Sequence, residues 1–215
     1  MAGGPTGDVS AAGAAHSGSE DPAVLMRQLP TMGMPIQVST SGDLMTIGVA
    51  IEVPEPHAAE LQFWRSTFGD PLADLIPAHV TLLPPTPVAG ERLDEIGDHL
   101  VEVAAATSRF GIRLAGTDTF RPVSPVVFVR VVEGVKGCDD LQRRIRTGPL
   151  TRELSFPYHP HVTVAHELDG PALDRAQDTL SEYTAEFTVA SIGLYEHGTD
   201  GKWRYRHRFP FASSA

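Results

Sequence analysis

The sequence predicts an α+β fold made of two similar halves. From Met45 onward, strand-like and helix-like periodicities alternate, and the same order of elements occurs twice. The tripeptide His-Val-Thr begins at His79 in the first half and at His161 in the second, each time after a strand and a helix. We interpret this pattern as an internal duplication with repeats at about 45–121 and 125–209; the alternative is a coincidence of ordinary α+β spacing.

Most elements of both halves have a recognisable start or stop signal. The first half is predicted to contain a strand over 46–53, a helix over 56–68, a strand over 77–83, a helix over 91–107 and a strand over 110–120. The second half is predicted to contain a strand over 126–132, a helix capped by Asp139 or Asp140 and reaching Ile145, a strand over 160–165, a helix over 169–183, and strands over 187–195 and 203–209. Pro84 and Pro85 are expected to end one strand, and Gly116 to bend another.

Residues 1–43 are predicted to be a disordered tail, and residues 44–215 to be one folded domain. The tail is rich in Gly, Ala, Ser, Thr and Pro, so it has too little apolar surface to offset its ordering entropy. A short helix around Val24–Leu29 is the only element considered there. The length of 215 residues suits a single domain with a substantial core.

The overall composition narrows the function classes. A formal net charge of −10 argues against binding long nucleic acids through many phosphates, and it favours a small ligand or a short RNA end. The sequence has neither an apolar run long enough to span a membrane nor a signal-peptide pattern. Its single cysteine, Cys138, can form no internal disulfide and no cysteine-based zinc site. These features favour a cytoplasmic protein.

The two His-Val-Thr tripeptides are the candidates for chemistry. Residues i and i+2 of a strand point to the same side, so His79 shares a face with Thr81, and His161 shares one with Thr163. If the two halves face each other, two imidazoles and two hydroxyls line one cleft. A neutral histidine can then accept a proton while a protonated one donates a proton, and the hydroxyls can bind phosphate oxygens. A single His-x-Thr strand is more often structural, but two matched copies favour metal-free phosphodiester chemistry.

These residues resemble the signature of the 2H phosphoesterase superfamily, which is named for two H-x-T/S-x motifs. The motifs stand here as His79–Leu82 and His161–Val164. The flanking residues 76–78 and 156–160 resemble those of the 2′–5′ RNA ligase-like branch. The resemblance covers roughly residues 45–211.

The resemblance implies a bilobal fold in which two antiparallel-rich sheets face each other across a central cleft, with helices on the outside. It implies hydrolysis of 2′,3′-cyclic phosphates, or cleavage and ligation of 2′–5′ linkages, in RNA or nucleotides. His79 is the implied general acid and His161 the general base, although a substrate bound in reverse would swap these roles. Thr81, Thr163 and Tyr158 are the expected substrate-binding residues. We expect a monomer that uses no metal or cofactor, binds no membrane, and takes a small nucleotide or RNA end as its partner.

Other histidines and one basic strand are secondary candidates. His159 is expected to face solvent or to support His161, and His166 to face away from the motif side chains on an unbroken strand. Four cations alternate with rings on the last strand and are expected to share one face: Lys202, Arg204, Arg206 and Arg208. Either these cations form a solvated basic face, or one or two of the arginines reach the cleft and neutralise RNA phosphates.

Two rival functions belong to other classes. His159-Pro160-His161 is an H-x-H pair like those of some metal-dependent amidohydrolases, but these usually sit in a (β/α)₈ barrel of about 250 residues. Metal analysis of the purified protein tests this alternative. A non-catalytic nucleotide- or RNA-binding module of the same fold would share every feature named above, so only an activity assay separates it from an enzyme.

Overall fold

The computed structural model describes residues 43–212, which form eight strands and four helices. The strands are β1 (Leu44–Glu52), β2 (His79–Ala89), β3 (Phe110–Thr119), β4 (Val126–Glu133), β5 (His161–His166), β6 (Thr184–Val189), β7 (Ser191–His197) and β8 (Trp203–Pro210). The helices are α1 (His57–Thr67), α2 (Leu93–Ala105), α3 (Val135–Ile145) and α4 (Gly170–Thr179). Within this range, no helix has the length and apolar character needed to cross a membrane. Residues 1–42 of the tail predicted for 1–43, and with them the helix predicted around Val24–Leu29, lie outside the described residues.

The strands form two four-stranded antiparallel sheets. The first sheet has the order β2-β1-β7-β8, and the second has the order β5-β4-β3-β6. The predicted α+β fold with two antiparallel sheets is therefore confirmed. The sheets exchange strands between the repeats: β3 follows β2 in the chain but joins the second sheet, while β7 and β8 return to the first. Each sheet consequently contains strands from both predicted repeats.

Alternating apolar residues place one face of each sheet in a common core. On β1, Ile47, Val49 and Ile51 are fully buried, and α2 contributes Ile96 and Leu100 to the same cluster. Burying each such side chain stabilises the fold by about 1.5–3 kcal/mol. The helical and strand periodicities of the sequence predicted both elements correctly, because each has one face that must leave water.

Two element boundaries differ most from those predicted. β2 continues through Pro84 and Pro85 to Ala89, because it is an edge strand, where a residue without an N–H need not interrupt the ladder. The helix α3 begins at Val135, directly after Gly134, whose φ of 87° is readily adopted only by glycine. The predicted cap at Asp139 or Asp140 is therefore wrong, and both aspartates lie inside the helix.

The strand predicted over 187–195 is two strands in different sheets. β6 pairs with β3 in the second sheet, and β7 pairs with β1 and β8 in the first. Only Ala190 separates them. The apolar positions change here from odd numbers (Phe187 and Val189) to even numbers (Ile192 and Leu194), and the prediction of one continuous strand overlooked this break in phase.

A buried ion pair fixes the chain just before the first motif. Arg65 Nε donates to Asp70 Oδ2 over 2.7 Å, and the side chains are only 4% and 0% exposed. A second guanidinium nitrogen of Arg65 donates to the Ile76 carbonyl over 3.1 Å. The end of α1 is thus joined to the loop that leads into β2.

Candidate active site

The two motif strands lie side by side where the sheets meet. β2 and β5 are edge strands of the first and second sheets, and they contact each other. Val80 and Val162, the middle residues of the motifs, are fully buried, whereas the histidines and threonines beside them are only partly buried. The alternation predicted for both motifs is present, and it turns the four polar side chains away from the core.

Each motif histidine is held by the same backbone hydrogen bond. Nδ1 of His79 lies 2.7 Å from the Pro77 carbonyl oxygen, and Nδ1 of His161 lies 2.7 Å from the His159 carbonyl oxygen. Because a carbonyl only accepts, Nδ1 carries the proton in both rings and Nε2 keeps its lone pair. In His79 this Nε2 lies 3.1 Å from Thr81 Oγ1, whose hydroxyl donates to it. Both imidazoles can therefore act as proton acceptors through Nε2.

Burial keeps both rings neutral at ordinary pH. It lowers the pKa of His79 to about 4; the hydrogen bond to Pro77 opposes this, and the charge of Arg65 adds to it. Burial also lowers the pKa of His161 to about 4, and the charges of His159 and His79 lower it further. The contribution of His79 is the smallest of these effects on His161.

Different aromatic residues surround the two histidines. The indole of Trp203 stacks on His79, with ring centroids 4.9 Å apart and an angle of 29°. His161 instead meets Phe120 edge-on at 5.0 Å and Phe128 at 4.9 Å with an angle of 54°. The backbone N–H of Trp203 donates to the Leu75 carbonyl over 2.9 Å, which holds the start of β8 against the loop before the first motif.

Glu52 is the cross-strand neighbour of His79 on β1, and the sequence analysis did not single it out. Its Oε1 accepts a hydrogen bond from the Tyr195 hydroxyl over 2.7 Å, and its Oε2 forms an ion pair with Arg208 at 2.5 Å. The equivalent neighbour of His161 is Arg130 on β4. Arg130 is exposed, donates through Nε to the Ala115 carbonyl, and has no acidic partner within residues 43–212. The two half-sites therefore carry opposite charges at matching positions.

A β-bulge places Arg208 on the face that carries Trp203. Leu194 pairs with His207, but the next residue, Tyr195, pairs with Tyr205, so Arg206 is the extra residue of β8. Trp203, Tyr205 and Arg208 therefore share a face. The prediction that all four cations of this strand share one face is wrong for Arg208.

A second β-bulge changes the side on which His166 lies. Val127 pairs with Ala165, whereas Phe128 pairs with Thr163, which leaves Val164 as an extra residue in β5. His166 consequently shares a face with Thr163 and His161, whereas an unbroken strand would have turned it away. Nδ1 of His166 is buried and has no hydrogen-bond partner in the described part of the chain.

Tyr158 connects the two motif regions. Its hydroxyl donates to the backbone carbonyl of Thr81 over 3.0 Å, and its ring packs against the core. Burial raises the pKa of this phenol far above its ordinary value, so the hydroxyl stays protonated and able to donate. The predicted contact of Tyr158 with substrate remains a prediction; its contact in this structure is with the first motif strand.

His159 is exposed, as expected, but its ring also takes part in the cluster around His161. Its centroid lies 6.0 Å from that of His161, 5.7 Å from that of Phe120 and 5.2 Å from that of Phe128. The H-x-H pair therefore exists in space. Across residues 43–212, however, no group of three His, Cys, Asp or Glu side chains is arranged to hold a metal ion.

Sequence comparison finds a protein family and several relatives that match this chain. The family model of the 2'-5' RNA ligase superfamily matches residues 53–201, a range that contains both motifs. The chain is 27% identical over 170 residues to "Putative phosphoesterase BH1439" of Halalkalibacterium halodurans, covering 77% of this chain and 96% of that protein. It is 31% identical over 125 residues to "Putative phosphoesterase OB1230" of Oceanobacillus iheyensis, covering 58% of this chain and 72% of that protein.

Solved structures show a similar fold. LigT of E. coli in complex with 3'-AMP aligns with a TM-score of 0.59 at 18% identity, over 80% of this chain and 100% of that one. TT0787 of Thermus thermophilus aligns with a TM-score of 0.51 at 20% identity, over 78% and 98% of the two chains. The structural likeness supports the fold, and the family match covers most of the chain. The chain therefore belongs to the 2'-5' RNA ligase superfamily of 2H phosphoesterases.

Proposed function

We propose that this protein is a metal-independent phosphodiesterase that hydrolyses 2′,3′-cyclic phosphates, or cleaves and joins 2′–5′ linkages, of nucleotides or RNA ends. One observation carries the proposal. Two matched His–Thr pairs stand on adjoining strands, and each histidine has its Nδ1 bonded to a carbonyl and its Nε2 available. That arrangement offers two proton-transfer groups and two phosphate-binding hydroxyls. The complex of E. coli LigT with 3'-AMP supports a small nucleotide as ligand.

In the hydrolytic reaction, His161 acts as general base and His79 as general acid. Nε2 of His161 takes a proton from water as the water oxygen bonds to phosphorus. The bond from phosphorus to the ribose oxygen breaks, and Nε2 of protonated His79 gives its proton to that leaving oxygen. Thr81 and Thr163 donate to the non-bridging phosphate oxygens, and Tyr158 lies beside the substrate.

Substrate binding supplies the protonation state that the reaction needs. Burial holds the pKa of His79 at about 4 in the protein alone, so its acidic form is scarce at neutral pH. A phosphate anion beside the ring favours the charged imidazolium and raises that pKa. Once Nε2 of His79 carries a proton, it no longer accepts from Thr81, and the threonine hydroxyl becomes free to donate to phosphate.

The test is hydrolysis of the four 2′,3′-cyclic nucleotides and a 2′–5′ dinucleotide by purified protein in EDTA, with the product regiochemistry recorded. His79→Ala and His161→Ala should each lower the rate by about 10²–10⁴, the range for positioned proton transfer. Thr81→Val and Thr163→Val should cost less, because each removes one hydrogen bond and keeps the branched shape. His207→Ala is the matched control, since His207 is an exposed histidine of β8, and it should retain wild-type activity.

Two outcomes would replace this proposal. Nucleotide binding without turnover of any of these substrates indicates a non-catalytic binding module. Activity that EDTA abolishes and zinc restores returns the H-x-H pair to consideration as a metal site.

A further inference from the structure

The two half-sites share their backbone geometry but differ in the side chain two residues before each histidine. Pro77 and His159 each supply the carbonyl that accepts from Nδ1 of the following motif histidine. Pro77 has no ionisable group, whereas His159 places a second imidazole beside His161. At this position, therefore, only the second half of the duplicated frame carries a titratable side chain.

His159 and His161 share one aromatic support. Phe120 and Phe128 each contact both imidazoles, with centroid distances of 4.9 to 5.7 Å. This support holds the imidazole centroids 6.0 Å apart. His159 is exposed, so water can solvate its protonated form, while His161 is mostly buried and loses that solvation.

The other charged groups near the two motif histidines add to this difference. On the His161 side they are His159 on its own segment, His166 on the same face of β5 and Arg130 on β4, with His79 across the seam. On the His79 side they are Glu52 on β1 with its partners Tyr195 and Arg208, and Arg65 on α1, which is paired with Asp70. A guanidinium that has no acidic partner within residues 43–212 thus occurs beside His161, whereas a carboxylate paired with Arg208 occurs beside His79.

We propose that His159 is a positioning residue that keeps His161 neutral. When the site holds one proton on its two motif histidines, that proton is therefore on His79. A positive charge on the imidazole of His159 opposes a second charge on His161, whose ring lies 6.0 Å away between centroids. The matching position before His79 is Pro77, which carries no charge, and Arg65, the cation that acts on His79, is paired with Asp70. The consequence for catalysis rests on the proposed two-histidine mechanism, but the electrostatic effect does not.

The test is a titration of the individual imidazoles by NMR in the full-length protein, with no substrate present. His159→Phe keeps a ring against Phe120 and Phe128 and removes the charge, and His159→Gln is a second, smaller replacement. Either variant should raise the pKa of His161 by about 0.5 pH unit if water screens the charge as in bulk, and by about 2 units at the effective dielectric of a protein. The titration of His79 should change much less. His207→Gln, which removes a histidine outside the site, should shift neither.

A reciprocal variant tests the same idea in the other half. Pro77→His introduces an imidazole beside His79 and should lower the pKa of His79 relative to that of His161. The proposal is overturned if His161 titrates as in the wild type in both His159 variants, or if both motif histidines shift equally.

Kinetics separate this role from a merely structural one. The base must be neutral, so a higher pKa of His161 moves the acidic limb of the pH–rate profile to higher pH in His159→Phe, while the basic limb stays in place. A loss of rate that is equal at all pH values indicates damage to the structure and contradicts the proposal. If the wild-type protein hydrolyses none of the tested substrates, the proposed function fails, yet the NMR titration still decides the role of His159.

Discussion

Gly48 on β1 offers a sharp test of how the first half-site is packed. A Cβ atom built on Gly48 lies 2.9 Å from Cη2 and 3.2 Å from Cζ3 of Trp203, and 3.4 Å from the Leu83 carbonyl oxygen. Carbon atoms in good contact are about 3.5–4.0 Å apart, so Gly48→Ala requires the indole to move by roughly 0.5–1 Å. The indole stacks on His79 and cannot move without disturbing that contact.

Overpacking of this kind costs about 1–3 kcal/mol in the free energy of unfolding. We expect Gly48→Ala to destabilise the protein by that amount and to raise the pKa of His79, because the displaced indole shields the ring less from water. Gly97→Ala is the matched control. Gly97 lies in α2, a Cβ there meets nothing within 4 Å, and alanine is favoured over glycine in a helix by about 1 kcal/mol.

The assay is urea unfolding of the two single variants, of Trp203→Leu, and of Gly48→Ala combined with Trp203→Leu. If the clash with Trp203 is the cause, Gly48→Ala should be neutral or slightly stabilising once the indole is absent. Equal destabilisation by Gly48→Ala in both backgrounds would refute the reasoning, as would a stable single variant. Stabilisation by Gly97→Ala excludes a general intolerance of added methyl groups.

Two further predictions concern stability. The pKa values of His79 and His161 are lowered to about 4 in the folded protein, so the unfolded chain binds more protons between about pH 6.5 and 4, and stability should fall across that window as pH decreases. The free energy of unfolding should fall between pH 6.5 and 5 by at most on the order of 2 kcal/mol per histidine, because both rings keep some solvent contact. Urea titrations at the two pH values measure this fall. His79→Gln and His161→Gln should each remove the part of it that comes from the replaced histidine. Asp70→Asn should lower the free energy of unfolding by about 3–5 kcal/mol, because it leaves the buried charge of Arg65 unpaired. Asp94→Asn, in the exposed first turn of α2, is the control and should change stability little. Similar losses of stability in both variants would contradict a dominant role of burial.

Local patterns predicted most of the elements that carry the site. The alternation His-Val-Thr correctly predicted which motif residues face the core, because the buried valine leaves only one orientation for its neighbours. The start of α4 was also predictable. Asp169 caps it by accepting from the Ala172 N–H over 2.8 Å, a contact between residues three apart.

The wrong predictions of which side of a strand a residue lies on arose where pairing between strands decides the geometry. Each bulge adds one residue to a strand, so every later side chain changes sides. The extra residue Val164 brings His166 to the motif face, and the extra residue Arg206 brings Arg208 to the face of Trp203. The sequence of one strand does not reveal a bulge, because a bulge is defined by the register between that strand and its partner. Glu52 and Arg130 were missed for the same reason, since they are neighbours of the histidines only across a strand pair.

A duplicated frame makes a symmetric pair of histidines, but the proposed reaction needs one of them as base and the other as acid. In this protein the identical parts are the His-Val-Thr strands and the carbonyl that binds each Nδ1. The unequal parts are the cross-strand neighbour of each histidine and the residue two positions before it. These are Glu52 and Pro77 for His79, and Arg130 and His159 for His161. In the proposed mechanism, divergence at these flanking positions sets which histidine is the acid, while the geometry shared by the two motifs is preserved. These positions are therefore the most informative sites for mutation outside the four motif residues.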